Sequence, residues 1–176
     1  MPFSDPVSNI AQFEIGAGDI IADLGAGSGF YTLAAAHATG STGKVYAVEV
    51  QKDLLDRIKN SATSDGLHNV EIIWGDIEEH GGTRLRDSSV DKVILSNVLF
   101  QADEKMSVIN EIMRILKPAG KTLFIEWSDS SSVSGPDRSH LIPEHEARAL
   151  FERAGFSIAR TIQAGKHHYG FIAEKP

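Results

Sequence analysis

Residues 21–30 read IADLGAGSGF: an apolar run, an acidic residue near its end, then glycines at 25, 27 and 29. The run before the glycines, Asp19–Leu24, is short and apolar, which suits a buried strand. The stretch after them, Phe30–Thr39, is long enough for a helix. Glycines between a strand and a helix let the backbone turn tightly and pass close to a ligand. The helix start adds free N–H groups and the positive end of its dipole. Dinucleotides and other adenosyl ligands both use such a loop, so the spacing has to discriminate. A dinucleotide fingerprint, G-x-G-x-x-G, wants a glycine at position 30, where this chain has Phe30. Asp23 beside the loop would repel a pyrophosphate, yet it suits a ligand carrying an ammonium and a sulfonium.

The alternation continues along the chain. Lys44–Val50, Val70–Trp74, Val90–Leu95 and Lys121–Trp127 are strand candidates, and Gln51–Ser64 and Asp103–Lys117 are helix candidates. In Asp103–Lys117 an apolar stripe of Met106, Ile109, Met113 and Leu116 is widened by Ile112, then stopped by Pro118 and Gly120. This Met-containing stripe reads as core. Strands alternating with helices imply right-handed βαβ units and a parallel sheet covered on both faces. After a helix at Pro143–Ala154 the pattern breaks. Phe156–Gln163 and His167–Glu174 are separated only by Ala164, Gly165 and Lys166, too short a link for a parallel crossover. A parallel sheet closed by an antiparallel hairpin is therefore expected. No repeat or linker divides residues 1–176, so a single domain is expected, with a Ser/Gly/Pro-rich loop at Ser128–Ser139.

Charge narrows the function classes. The 17 Lys and Arg against 24 Asp and Glu give a net charge of −7, and the basic residues are scattered. Nucleic-acid binders carry a positive footprint, so a DNA or RNA partner is disfavoured. Cysteine is absent, which excludes disulfides, thiolate metal sites and a cysteine nucleophile in this chain. The start MPFSDPVSNI lacks the basic and apolar regions of a secretory signal, and no apolar run is long enough to cross a bilayer. A cytoplasmic location with no membrane contact is expected.

Two further acidic residues stand at strand ends. Glu49 ends the second strand, where its carboxylate can accept from both hydroxyls of a ribose. Asp76, in Trp74-Gly75-Asp76-Ile77, follows the third and could accept from an adenine amino group. Asp23, Glu49 and Asp76 thus lie along the carboxyl edge, where doubly wound sheets bind ligands.

On IADLGAGSGF, VYAVEV, WGDIEE, VDKVILSNVLF and LKPAGKTLFIEW, the chain resembles the class I S-adenosylmethionine-dependent methyltransferases over nearly its whole length. It looks most like the small-molecule branch related to quinone biosynthesis. The resemblance implies a Rossmann-like α/β sheet of seven strands in the order 3-2-1-4-5-7-6, the last strand antiparallel. It implies that Asp23 with Gly25, Ala26, Gly27, Ser28 and Gly29 holds the methionine portion of the donor. It implies Glu49 at the ribose, Asp76 and Ile77 at the adenine, and Ser96 and Asn97 beneath the methionine end and the transferred methyl.

Departures from related patterns exclude several acceptors. Enzymes that methylate DNA base amines carry a D/N-P-P-Y/F motif after the fourth strand, where this chain reads Ser96-Asn97-Val98-Leu99-Phe100. Arsenite methyltransferases use several cysteines. Protein arginine methyltransferases need two glutamates on one loop, and Glu78 and Glu79 follow the wrong strand. Among the histidines no metal-ligand spacing occurs, so no metal is expected. His167 and His168, adjacent on a strand, should point to opposite faces. His140 is the leading candidate for a general base.

The expected reaction is methyl transfer to a small-molecule acceptor by in-line displacement, in which orientation can contribute roughly 7–11 kcal/mol. An RNA-modifying methyltransferase, a nicotinamide-dependent oxidoreductase and a non-catalytic adenosyl-binding module are the alternatives, and the chain is a monomer or homodimer. The acceptor pocket is expected from the N-terminal segment 1–18, with Phe3, Val7, Ile10 and Phe13 closing over the carboxyl edge. The segment after the fourth strand candidate, Val90–Leu95, and a lid at 128–143 would complete it.

Overall fold

The computed structural model describes residues 4–128 and 135–176. Its strands are β1 (Ile20–Leu24), β2 (Lys44–Glu49), β3 (Val70–Trp74), β4 (Val90–Ser96), β5 (Leu116–Trp127), β6 (Ser157–Ile162) and β7 (His168–Glu174). They form one seven-stranded sheet in the order β3-β2-β1-β4-β5-β7-β6, as expected. All neighbours run parallel except β7, which is antiparallel to both β5 and β6. β7 therefore fills the place between its hairpin partner and β5, and begins one residue later than expected, at His168.

The helices are α1 (Pro6–Phe13), α2 (Phe30–Thr39), α3 (Lys52–Ser64), α4 (Lys105–Ile115) and α5 (Glu144–Arg153). Strand alternation sorts the core between two faces. Ile21, Val45, Ile94, Leu123 and Ile125 pack with Ala35 and Ala36 of α2, while Ala22, Leu24, Val93, Leu95 and Phe124 pack with Ile109 and Ile112 of α4. Phe124, Phe151 and Phe171 meet at ring separations of 4.9–5.4 Å, close enough for aromatic packing to add to their burial.

Two expectations need correction. The helix expected over Asp103–Lys117 ends at Ile115, and Leu116 is already extended, with ψ 136. The cause is local: Lys117 precedes Pro118, whose ring disfavours a helical conformation there. The N-terminal segment is also more than a loose cover. Asp5 caps α1 by accepting the Val7 N–H at 3.1 Å, and Pro6 sits in the first turn. Ile10 and Phe13, three residues apart, then bury on the sheet face beside Ile21 and Ile94, away from the carboxyl edge. Val7 stays exposed, and Phe3 lies outside the described residues, as do residues 129–134 of the expected lid.

Candidate active site

The chain order reverses between β1 and β4, and open sheets of this kind bind ligands at that point. The loop after β1 and the segment after β4 face each other there. They wall a cavity of ≈ 530 Å³. The cavity is lined by Gly25, Ala26, Gly27, Ser28 and Gly29 from the loop, Glu49 from β2, Asp76 and Ile77 after β3, Ser96 at the end of β4 and Asn97 just beyond it. The structure thus brings together ten of the residues expected at a donor site.

The loop is shaped by its glycines. Gly25, Gly27 and Gly29 have φ 68°, 54° and 85°, values that L side chains rarely adopt. Space is equally limiting at two of them. A Cβ on Gly25 would lie 2.6 Å from Val98 Cγ2, and one on Gly29 would lie 2.7 Å from Ile58 Cγ1. The Gly25 and Ala26 N–H groups donate to the Val48 carbonyl at 2.9 and 3.1 Å, which fastens the loop to the end of β2.

Glu49 works differently from a simple acceptor for two ribose hydroxyls. Its Oε2 accepts the Gly27 N–H at 2.9 Å, while Oε1 accepts the N–H groups of Val50 and Gln51 at 2.9 and 3.1 Å. An ionised carboxylate offers about four lone-pair sites, so three are already engaged. Glu49 therefore holds the loop as well as facing the cavity. Asp76, at the opposite wall, accepts the Glu78 N–H at 2.9 Å.

Asp23 does not line the cavity. It sits beneath the loop, 3% exposed, and accepts the Thr32 hydroxyl at 2.6 Å. Burial pushes its carboxyl up to about 7, the Glu49 charge adds to the rise, and the Thr32 hydrogen bonds oppose it. Because the folded value exceeds the ordinary 3.8, the folded state keeps a proton that the unfolded chain has released. Asp23 thus weighs increasingly against folding as pH rises from about 4 to about 7. Asp23→Asn keeps an acceptor for Thr32 and is expected to raise the melting temperature at pH 8, with no gain at pH 4. Equal shifts at both pH values would contradict this burial of charge.

Two polar atoms in the cavity wall lack partners. Ser96 Oγ and Asn97 Oδ1 are buried and accept no hydrogen bond. Buried polar groups are normally satisfied, which sets these two apart in the wall. Asn97 also has φ 57°, and backbone strain of this kind gathers at functional sites.

His140 is exposed on the short 3-10 turn Arg138–His140 and is not among the residues lining the cavity. Among the described residues no group of three His, Asp or Glu could hold a metal ion. Among the described residues of the N-terminal segment, Ser4 and Pro6 line the cavity, and the Ser4 hydroxyl pairs with the Tyr31 hydroxyl at 2.8 Å, an arrangement that Asn9 joins. Sequence reasoning missed Tyr31, Val98 and Gln101 in the lining. Val98 was signalled indirectly, since a tight glycine implies a close neighbour, but nothing in the sequence named which one.

A family model described as "Methyltransferase domain" matches residues 15–166. The chain belongs to the methyltransferase-domain family. Over 156 residues it is 28% identical to an arsenite methyltransferase of Halobacterium salinarum, covering 89% of this chain and 38% of that protein. It is 32% identical over 106 residues to a demethylmenaquinone methyltransferase of Geobacillus stearothermophilus, covering 60% of this chain and 44% of that one. This chain's match thus covers less than half the length of these two relatives. Among solved structures, a SAM-dependent methyltransferase from Aquifex aeolicus superposes with a TM-score of 0.89 at 26% identity, covering 99% of this chain and 91% of that one. The cyclase SpnF shares the methyltransferase fold at a TM-score of 0.81 and 17% identity, over 98% of this chain and 80% of its own.

Proposed function

We propose that this methyltransferase domain binds S-adenosylmethionine in the cavity at the β1/β4 switch point and transfers its methyl group to a small-molecule acceptor. The observation that carries the reading is the pair of unpartnered buried oxygens, Ser96 Oγ and Asn97 Oδ1, in the wall facing a left-handed glycine loop. Hydrogen-bond acceptors in that wall suit the ammonium end of the donor. The Gly25–Gly29 loop offers close backbone approach, and the N-terminus of α2 opens directly after it.

The bound donor supplies a methyl carbon already activated by its sulfonium. What the chain must add is placement. Ser96 and Asn97 fix the methionine end, Glu49 and the N–H groups it gathers shape the ribose side, and Asp76 with Ile77 receives the adenine. Asp23 stands beneath the loop, and a cationic donor bound above it would favour the ionised form of its carboxyl. Val98 and Gln101 line the acceptor side, with Phe30 and Val50 as an exposed apolar rim. A quinone, phenol or amine fits such a mixed surface better than an anion does. Arsenite is set aside because this chain has no cysteine to hold it as thiolates. RNA is disfavoured by the net charge of −7.

Donor binding is testable by thermal shift. At a hundredfold excess over the dissociation constant, S-adenosylmethionine should add about 2.7 kcal/mol of stability, and NAD should add none. Stabilisation by NAD alone, or none by S-adenosylmethionine, would refute the donor assignment.

A further inference from the structure

Glu126 lies near the end of β5 and takes no part in the donor reading, although its side chain is wholly buried. On that face of the strand its neighbours are Phe124, two residues earlier, and Tyr169 directly across on β7. A carboxylate in such surroundings is costly unless its oxygens are used. Both are. Oε1 accepts the Trp127 N–H at 3.0 Å and Oε2 accepts the Phe100 N–H at 3.2 Å, with the Leu99 backbone contributing too. Burial still pushes the carboxyl up to about 7, against those backbone hydrogen bonds and the charge of Lys105.

Leu99 and Phe100 open the 3-10 turn Leu99–Gln101, whose first N–H groups have no partner within the turn itself. Glu126 supplies that partner from the adjacent strand. The turn continues directly from Ser96, Asn97 and Val98 in the cavity wall, and Gln101 Nε2 donates back to the Asn97 carbonyl at 3.3 Å. Val98 in turn fills the space above Gly25. A continuous path of contacts therefore runs from the buried carboxylate through the turn to the glycine loop.

We propose that Glu126 is a positioning residue, whose carboxylate fixes the turn after β4 and thereby sets where Asn97 and Val98 stand against the glycine loop. The anchoring itself is independent of the donor assignment; its effect on ligand affinity rests on that assignment.

The test uses Glu126→Gln, which keeps the volume but turns an N–H donor toward one of the N–H groups now held. Amide hydrogen exchange and calorimetric titration with S-adenosylhomocysteine would be read on wild type and variant. The variant should melt near the wild type, because losing a hydrogen bond is offset by no longer burying a charge. Exchange at Leu99 and Phe100 should quicken about tenfold, and affinity for S-adenosylhomocysteine should fall by about the same factor. Protection in β7 and α5 should be unchanged. Glu126→Asp, with the charge on a shorter stem, is the second variant and should show the same local loss. Unchanged exchange at Leu99 and Phe100 would overturn the anchor. Faster exchange with wild-type affinity, or faster exchange spread evenly over β5 and β7, would overturn the positioning role. If the wild type binds no S-adenosylhomocysteine, the donor assignment fails, and the exchange measurement still decides whether Glu126 holds the turn.

Discussion

Glu111→Ala is expected to lower folding stability by about 3 kcal/mol, the scale for breaking a buried ion pair from one side. Glu111 lies on α4, 1% exposed. Its carboxylate accepts the Gly81 N–H at 3.0 Å, the Thr83 N–H at 3.2 Å and the Thr83 hydroxyl at 2.6 Å. Arg114 completes the set, donating from Nε at 2.8 Å and from its terminal nitrogen at 2.7 Å. One side chain thus fastens the connection between β3 and β4 to the helix behind it. Burial alone would raise this carboxyl, but the Arg114 and Thr83 hydrogen bonds outweigh it and hold it at about 2. The sign follows from that depression below the ordinary 4.5. The contribution is fully present above pH about 4.5 and is lost as pH falls toward about 2. Urea unfolding should therefore show the full gap between wild type and variant at pH 7, narrowing by pH 3. A gap below about 1 kcal/mol at pH 7 would mean that the network contributes no more than a surface pair.

Gly25→Ala is the second large effect, and it falls on ligand binding. The substitution forces a side chain into a left-handed conformation, which costs roughly 1–3 kcal/mol. It also drives a methyl group against Val98, a β-branched residue with little rotamer freedom. Overpacking of that kind costs roughly 1–3 kcal/mol more. Relief comes from opening the loop away from the post-β4 turn, which spoils the cavity. Affinity for S-adenosylhomocysteine should fall about a hundredfold, and Val98→Ala in the same chain should recover part of it. Affinity within about threefold of wild type would show that the loop tolerates the side chain and that its glycine is not needed there.

Much of the fold was legible because hydrophobic period and turn residues act locally. The β1 run, the glycine loop and the short link at Ala164–Lys166 each restrict what neighbouring residues can do, and together they point to a parallel sheet closed by an antiparallel hairpin; the strand order itself came from the family resemblance. That Glu49, Asp76, Ser96 and Asn97 share one cavity was legible for the same reason: each stands at or just beyond the end of a strand on one edge. What escaped depends on distance in the chain. That Glu49 spends its oxygens on Gly27, Val50 and Gln51, or that Asp23 is capped by Thr32 below the cavity, requires side-chain geometry. α1 was hidden because its two buried apolar residues, Ile10 and Phe13, read equally well as a cover for the edge and as core. His140 was chosen by residue type alone, and its turn leaves it exposed outside the cavity lining.

The fold also supports chemistry other than methyl transfer, so ligand binding alone does not establish the reaction. The decisive measurement is transfer of a radiolabelled methyl group from S-adenosylmethionine across amines, phenols, quinones and RNA. The account predicts label in at least one small-molecule class and none in RNA, with transfer reduced in Gly25→Ala. Tight donor binding with no transfer to any acceptor would make the chain an adenosyl-binding module, and label in RNA alone would contradict the small-molecule assignment.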